Sequence, residues 1–170
     1  MIYVDLDCTL IDSAKRLQDE MEVAAHYGIN GTLYWKAIEL ALEKCGIGNF
    51  GYDALFEACE IIKPGLDNRI LSDWQRVVET PHFFPDTLAF LGRFPRSCLV
   101  LVTTGSSEFQ RAKIATHNLE DYFSEIRIVP SPKCQHINPV YPAVYIDDSP
   151  REIDAMKVLH PRVFCIHKIF

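Results

Sequence analysis

The sequence predicts an α/β fold: a parallel sheet domain with a small all-helical segment inserted early in the chain. Three observations carry this. Short runs rich in β-branched residues recur at 2–4, 98–102, 126–129, 143–146 and 163–166, each the size of a buried strand. After Phe84 these runs alternate with stretches of helical apolar spacing, the pattern of a parallel sheet built from strand–helix–strand units. Between Ser13 and Pro81 the helical spacing continues with no strand, so residues 14–82 read as a helical insert, and residues 1–13 and 83–170 as the domain that carries the sheet.

The first strand, Ile2-Tyr3-Val4, stops at Asp5, Asp7 and Asp12. Carboxylates at the end of a buried strand are costly unless a metal ion, a hydrogen bond or a ligand offsets them. In an open α/β sheet the carboxyl ends of the strands form the crevice where ligands bind. Asp5 and Asp7 stand two apart, which in an extended chain turns both side chains toward one point. Such a pair suits a division of labour in which Asp5 attacks and Asp7 serves as general acid and base. A strand end followed by an Asx-type turn, with Asp7 and Thr9 bonding local amides, accounts for the same residues.

Four amphipathic helices follow. Leu17, Met21 and Ala24 mark the first, which stops at Gly28; Asn30-Gly31-Thr32 opens the second, striped by Leu33, Ala37, Ile38, Ala41, Leu42 and Cys45. The third runs from about Tyr52 to Ile62 and closes at Lys63-Pro64-Gly65, and the fourth carries Ile70, Trp74, Val77 and Val78. Aromatic residues at this spacing are expected to pack the bundle.

Phe84-Pro85-Asp86 opens a short helix that Pro95 ends. The most strand-like run, 98–102, stops at Thr103-Thr104-Gly105-Ser106-Ser107, an arrangement whose hydroxyls and free N–H groups can hold a phosphate. Capping of the next helix by Ser106 or Ser107 is the plainer account of the serines. A helix from about Glu108 to His117 leads to the third strand, and Lys133 stands just past it. The fourth strand stops at Asp147-Asp148-Ser149-Pro150, and adjacent acids there suit a hard cation such as Mg2+. A helix carrying Ile153, Met156 and Leu159 and a last strand complete the sequence. Consecutive right-handed units bring Asp5, Asp7, Thr103, Lys133, Asp147 and Asp148 to one edge of the sheet, where they supply the parts that phosphoryl transfer needs.

Composition narrows the partners. A formal charge of -6 argues against a nucleic-acid backbone or an anionic membrane as the main partner and favours a cation. No apolar stretch reaches the length of a membrane span, and no basic-then-apolar leader precedes the first strand, so a cytoplasmic location is expected. The six cysteines show no Cys-x-x-Cys spacing, which disfavours a zinc site or a redox pair. Nothing in the sequence sets an oligomeric state.

The chain resembles the haloacid dehalogenase-like (HAD) superfamily of phosphatases and phosphotransferases. Asp5-Leu6-Asp7-Cys8-Thr9 matches its Asp-x-Asp-x-Thr motif, Val102-Thr103 its second motif, Lys133 its lysine, and Asp147-Asp148 its paired acids. The resemblance implies a Rossmannoid core with a helical cap. It implies Asp5 as the nucleophile of an aspartyl-phosphate, Asp7 as acid and base, and phosphoryl oxygens held by Thr103, Thr104, Gly105 and Lys133. It implies Mg2+ held by Asp5, the Asp7 backbone carbonyl, Asp147 and Asp148. Asp7 favours phosphate esters, since the dehalogenase branch lacks that second acid. The expected activity is hydrolysis of a small phosphorylated metabolite; a phosphotransferase or mutase and a catalytically silent module are the alternatives. One departure stands out: Val144 follows Lys133 by eleven positions, so the helix usual before the fourth strand is expected to be absent or one turn long, and Lys113 is the other candidate lysine.

Overall fold

The computed structural model describes residues 1–169. Its five strands are β1 (Ile2–Val4), β2 (Leu99–Thr103), β3 (Glu125–Ile128), β4 (Val144–Asp147) and β5 (Phe164–His167). They form one parallel sheet in the order β3-β2-β1-β4-β5. The strand that comes first in sequence is therefore central: Val4 pairs with Leu101 on one side and Ile146 on the other. Reversal of strand order at β1 creates the crevice beyond its carboxyl end where such folds bind ligands.

The helices are α1 (Ser13–His26), α2 (Gly31–Cys45), α3 (Tyr52–Ile62), α4 (Arg69–Val78), α5 (Thr87–Leu91), α6 (Ser107–Thr116) and α7 (Pro150–Leu159). Between β3 and β4 there is no α-helix, only the 3-10 turn Lys133–His136. No helix among the described residues is long and apolar enough to cross a membrane.

The chain divides into two compact units. The sheet unit comprises residues 1–13, 82–104 and 117–169. Every residue of β2 is buried, and one face of the sheet packs Tyr3, Val100, Val102 and Tyr145 against Ile153 and Met156 of α7. β3 and β5 are the edges: β3 carries the paired charges Glu125 and Arg127, whereas Phe164 and Ile166 of β5 are exposed.

The helical unit comprises residues 14–81 and also 105–116, a stretch that the sequence pattern groups with the sheet. Phe109 and Ala112 of α6 pack against the helical core, which explains the grouping. That core centres on Trp74, fully buried, with Tyr52 stacked on it at 5.6 Å and Tyr34 edge-on at 6.0 Å. Burial of one large side chain of this kind contributes roughly 1.5–3 kcal/mol.

One polar group is built into the same core. Glu20 of α1 is 3% exposed, and its carboxylate accepts hydrogen bonds from Tyr34 Oη (3.0 Å), Tyr52 Oη (2.5 Å) and the Arg16 guanidinium. Its backbone carbonyl accepts from Trp74 Nε1 at 3.0 Å, so residues from α2, α3 and α4 all bond to Glu20. Glu20→Ala leaves Arg16 and two tyrosine hydroxyls without their acceptor. It is expected to lower the unfolding free energy by about 3–5 kcal/mol, read as a shift of the urea midpoint.

Candidate functional site

The site is assembled at the carboxyl edge of the sheet unit. Asp5 continues β1 by one residue, its N–H donating to Ile146 O at 2.9 Å, and is 3% exposed. The chain then folds back: Leu6 O accepts from the N–H groups of Leu10 (2.9 Å) and Ile11 (3.0 Å), and Cys8 adopts φ +56. The two acids differ in burial and in partners. Asp5 is buried in the sheet crevice. Asp7 is half-buried in the loop, where its carboxylate accepts from Ser13 Oγ at 2.8 Å.

β4 delivers Asp147, fully buried, and Asp148, half-buried. One oxygen from each of Asp5, Asp147 and Asp148 lies within 4.8 Å of the others. The Asp7 carboxylate is outside this group. Lys133 enters from the 3-10 turn, and its ammonium donates to Asp5 Oδ1 and, at 2.8 Å, to Asp147 Oδ2. Lys113, by contrast, lies in the helical unit with its ammonium 5.1 Å from the Phe109 ring centroid. Thr103 is the last residue of β2 and is 1% exposed; its carbonyl accepts from Val129 N at 2.8 Å, tying it to the chain beyond β3. Gly105 has φ +144, and a Cβ there would stand 2.6 Å from Gln110 Nε2, so the turn after Thr104 requires glycine.

Three supporting contacts are not evident from the motif positions. Tyr145 Oη donates to Asp147 Oδ2, from two residues back on the same face of β4, a relation that strand periodicity makes legible. Ser149 N donates to Asp147 Oδ1 at 2.8 Å. Glu152 is 6% exposed and accepts from Lys133 N (2.7 Å) and Ser131 Oγ. Ser149-x-x-Glu152 has capping-box spacing, the only sequence signal at that residue.

Burial dominates the electrostatics. It pushes the Asp5 carboxyl up to about 7 despite the opposing pull of Lys133, with Asp147 and Asp7 adding to the rise. Asp148 is raised by burial and by Asp147. Burial on its own would lower Lys133, but Asp5 and Asp147 more than offset it and hold the ammonium protonated. Burial and Asp148 raise the Cys8 thiol, so it stays a thiol and is a poor nucleophile. With all groups ionised, the three carboxylates and one ammonium leave two negative charges uncompensated, the charge of one divalent cation. An all-oxygen donor set of this kind fits Mg2+.

Neither a protein-family profile nor a curated protein matches the sequence. Solved structures do share its fold. A haloacid dehalogenase-like hydrolase from Burkholderia xenovorans LB400 superposes with TM-score 0.73 at 23% identity, over 98% of this chain and 80% of that one. The L-2-haloacid dehalogenase of Xanthobacter autotrophicus gives TM-score 0.67 at 16% identity, over 95% and 75%. The HAD-hydrolase YfnB of Bacillus subtilis, bound to magnesium, gives 0.58 at 14%, over 96% and 84%. The fold is thus that of haloacid dehalogenase-like hydrolases.

Lys133→Met leaves Asp5 and Asp147 buried without their shared counter-charge. Asp5, which burial already pushes up to about 7, then holds its proton more strongly in the folded state at a pH where the unfolded chain has lost it, so stability falls as pH rises from about 4. The variant is expected to be about 3–5 kcal/mol less stable than the native chain at pH 8 and much closer to it at pH 5, by denaturant titration at both values.

Proposed function

We propose that the protein is a Mg2+-dependent phosphatase of the HAD-like type, acting on a small phosphorylated metabolite through an aspartyl-phosphate on Asp5. The observation that carries the reading is the buried Asp5–Lys133–Asp147 cluster at the switch point of a parallel sheet, with Asp148 beside it. Lys133 occupies Oδ1 of Asp5, which leaves Oδ2 as the attacking oxygen. Attack forms the Asp5 O–P bond as the P–O bond to the leaving alcohol breaks, and Asp7 gives that oxygen its proton. A water then loses a proton to Asp7 and displaces phosphate from Asp5, which restores both carboxyl groups. Lys133 and Thr103 hold the non-reacting phosphoryl oxygens, aided by Thr104 and Gly105.

Asp5, Asp147 and Asp148, with the Asp7 backbone carbonyl, would hold Mg2+, which neutralises charge on the acids and on the phosphoryl group. The acidic net charge and the absence of a basic surface run in the sequence support a small substrate in place of a nucleic-acid backbone. The helical unit is assigned the role of cap, setting which phosphate ester is accepted.

The dehalogenases that share this fold supply the competing chemistry, and Asp7 discriminates between them. A halide leaves without a proton, whereas an alkoxide needs one, so a second acid held by Ser13 two positions after Asp5 supports ester cleavage. Phosphate release from an aryl phosphate and a panel of phosphometabolites is expected to require Mg2+. Asp5→Asn is expected to reduce it at least about a thousandfold. Chloride release from 2-chloropropionate without metal-dependent phosphate release would reverse the assignment.

A further inference from the structure

The segment that carries Lys133 has an unusual support. Where a crossover helix would normally fix the chain between β3 and β4, there is only the 3-10 turn Lys133–His136. The substitute is α7, which holds this segment at both of its ends. At its first turn, Glu152 accepts from Lys133 N and Ser131 Oγ; just past its last residue, His160 Nε2 bonds Cys134 O at 3.0 Å.

Glu152 is released for this task by an exchange of partners at the start of α7. Ser149 caps the helix, its Oγ accepting from Glu152 N at 3.5 Å. In a capping box the glutamate would return the bond to the Ser149 N–H. Here that N–H donates to Asp147 Oδ1 instead, and the Glu152 carboxylate turns to the backbone of Lys133. Helix capping therefore does not account for the Glu152 carboxylate, and its bonds go to the backbone of Lys133 and to Ser131.

We infer that Glu152 is the positioning residue for Lys133: it fixes the backbone from which the side chain reaches Asp5 and Asp147. A lysine arm has four flexible methylenes, so delivery of the ammonium depends on a fixed origin. A misplacement of about 1 Å at a reacting centre can cost on the order of a hundredfold in rate. The inference deepens the phosphatase reading, on which its catalytic consequence rests, but the positioning itself can be read without activity.

The test compares the native chain with Glu152→Ala and Glu152→Gln. The first readout is the Lys133 15Nζ–1H resonance of lysine-labelled protein, assigned with Lys133→Met. It is expected to be distinct from bulk lysines in the native chain, lost into them in Glu152→Ala, and retained in Glu152→Gln. The glutamine amide oxygen can still accept from Lys133 N, and the Ser131 hydroxyl can turn to accept from the amide. The second readout is affinity: inorganic phosphate is expected to bind Glu152→Ala at least about tenfold more weakly, with Mn2+ affinity within about twofold of native. An unchanged Lys133 resonance in Glu152→Ala overturns the inference, as does equal loss of the resonance in both variants. If the native chain neither binds phosphate nor releases it from esters, the phosphatase reading fails, while the resonance still decides the positioning role.

Discussion

The shared ion pair of Lys133 with Asp5 and Asp147 is the constraint on which the rest of the sheet edge depends. Two carboxylates this deeply buried are tolerable only with a counter-charge, and the counter-charge has to come from another part of the chain. β1 supplies one acid, β4 the other, and the loop after β3 supplies the lysine. The strand order β3-β2-β1-β4-β5 makes this possible because the two acid-bearing strands are neighbours. Tyr145 and Ser149 also donate to Asp147, at Oδ2 and Oδ1, and Glu152 anchors the lysine's own backbone. Removal of Asp5, Lys133 or Glu152 leaves a buried polar group whose partner lay on a different element.

The pair also leaves the cluster electrostatically incomplete. Asp148 adds a third acid that Lys133 cannot neutralise as well, and the rise of both Asp5 and Asp148 above the ordinary carboxylate range registers the strain of so much negative charge in a dry site. A proton relieves this in part, and a divalent cation relieves it fully. The cluster thus holds a demand for positive charge, which suits the proposed function, where an anionic group must be drawn in and attacked by another anion.

Much of this arrangement is legible in the sequence, because a strand cut off by an acid, a hydroxyl residue or a lysine is visible without knowing any contact. The strand-bearing segments and the helical stretch follow from periodicity, to within a residue or so, and the missing crossover helix from the shortness of the segment between Lys133 and Val144. Cys98, read as strand, lies in a 3-10 turn, and β2 begins one residue later and includes Thr103. What sequence reading loses is set by contacts distant in the chain. Glu20 on an amphipathic helix looks like a solvated charge, and the hydroxyls of Tyr34 and Tyr52 together with the Arg16 guanidinium make its burial tolerable. Asp7 stands two positions after Asp5, but its bond from Ser13 Oγ and the left-handed conformation of Cys8 that follows it are not legible from spacing alone. Glu152 looks like a capping residue until its bond to Lys133, nineteen positions away, is seen.

The central place of β1 bears on how the molecule comes to exist. Ile2 pairs with Leu99 on one side and Val144 on the other, so the strand made first has no sheet neighbour until much of the chain has followed. At ordinary rates of synthesis, Asp147 emerges on the order of ten seconds after Asp5. The residues of α1 to α4 can collapse around Trp74 in that interval, since all of that core but Phe109 and Ala112 lies between Leu17 and Val78. β1 must wait as an apolar segment tipped with acids, open to chaperones and to misplaced pairing. The acid-bearing edge is therefore a late product of folding, closed by the final third of the chain, and translation stalled before β4 would leave a helical bundle on a chain without the Asp5–Lys133–Asp147 cluster.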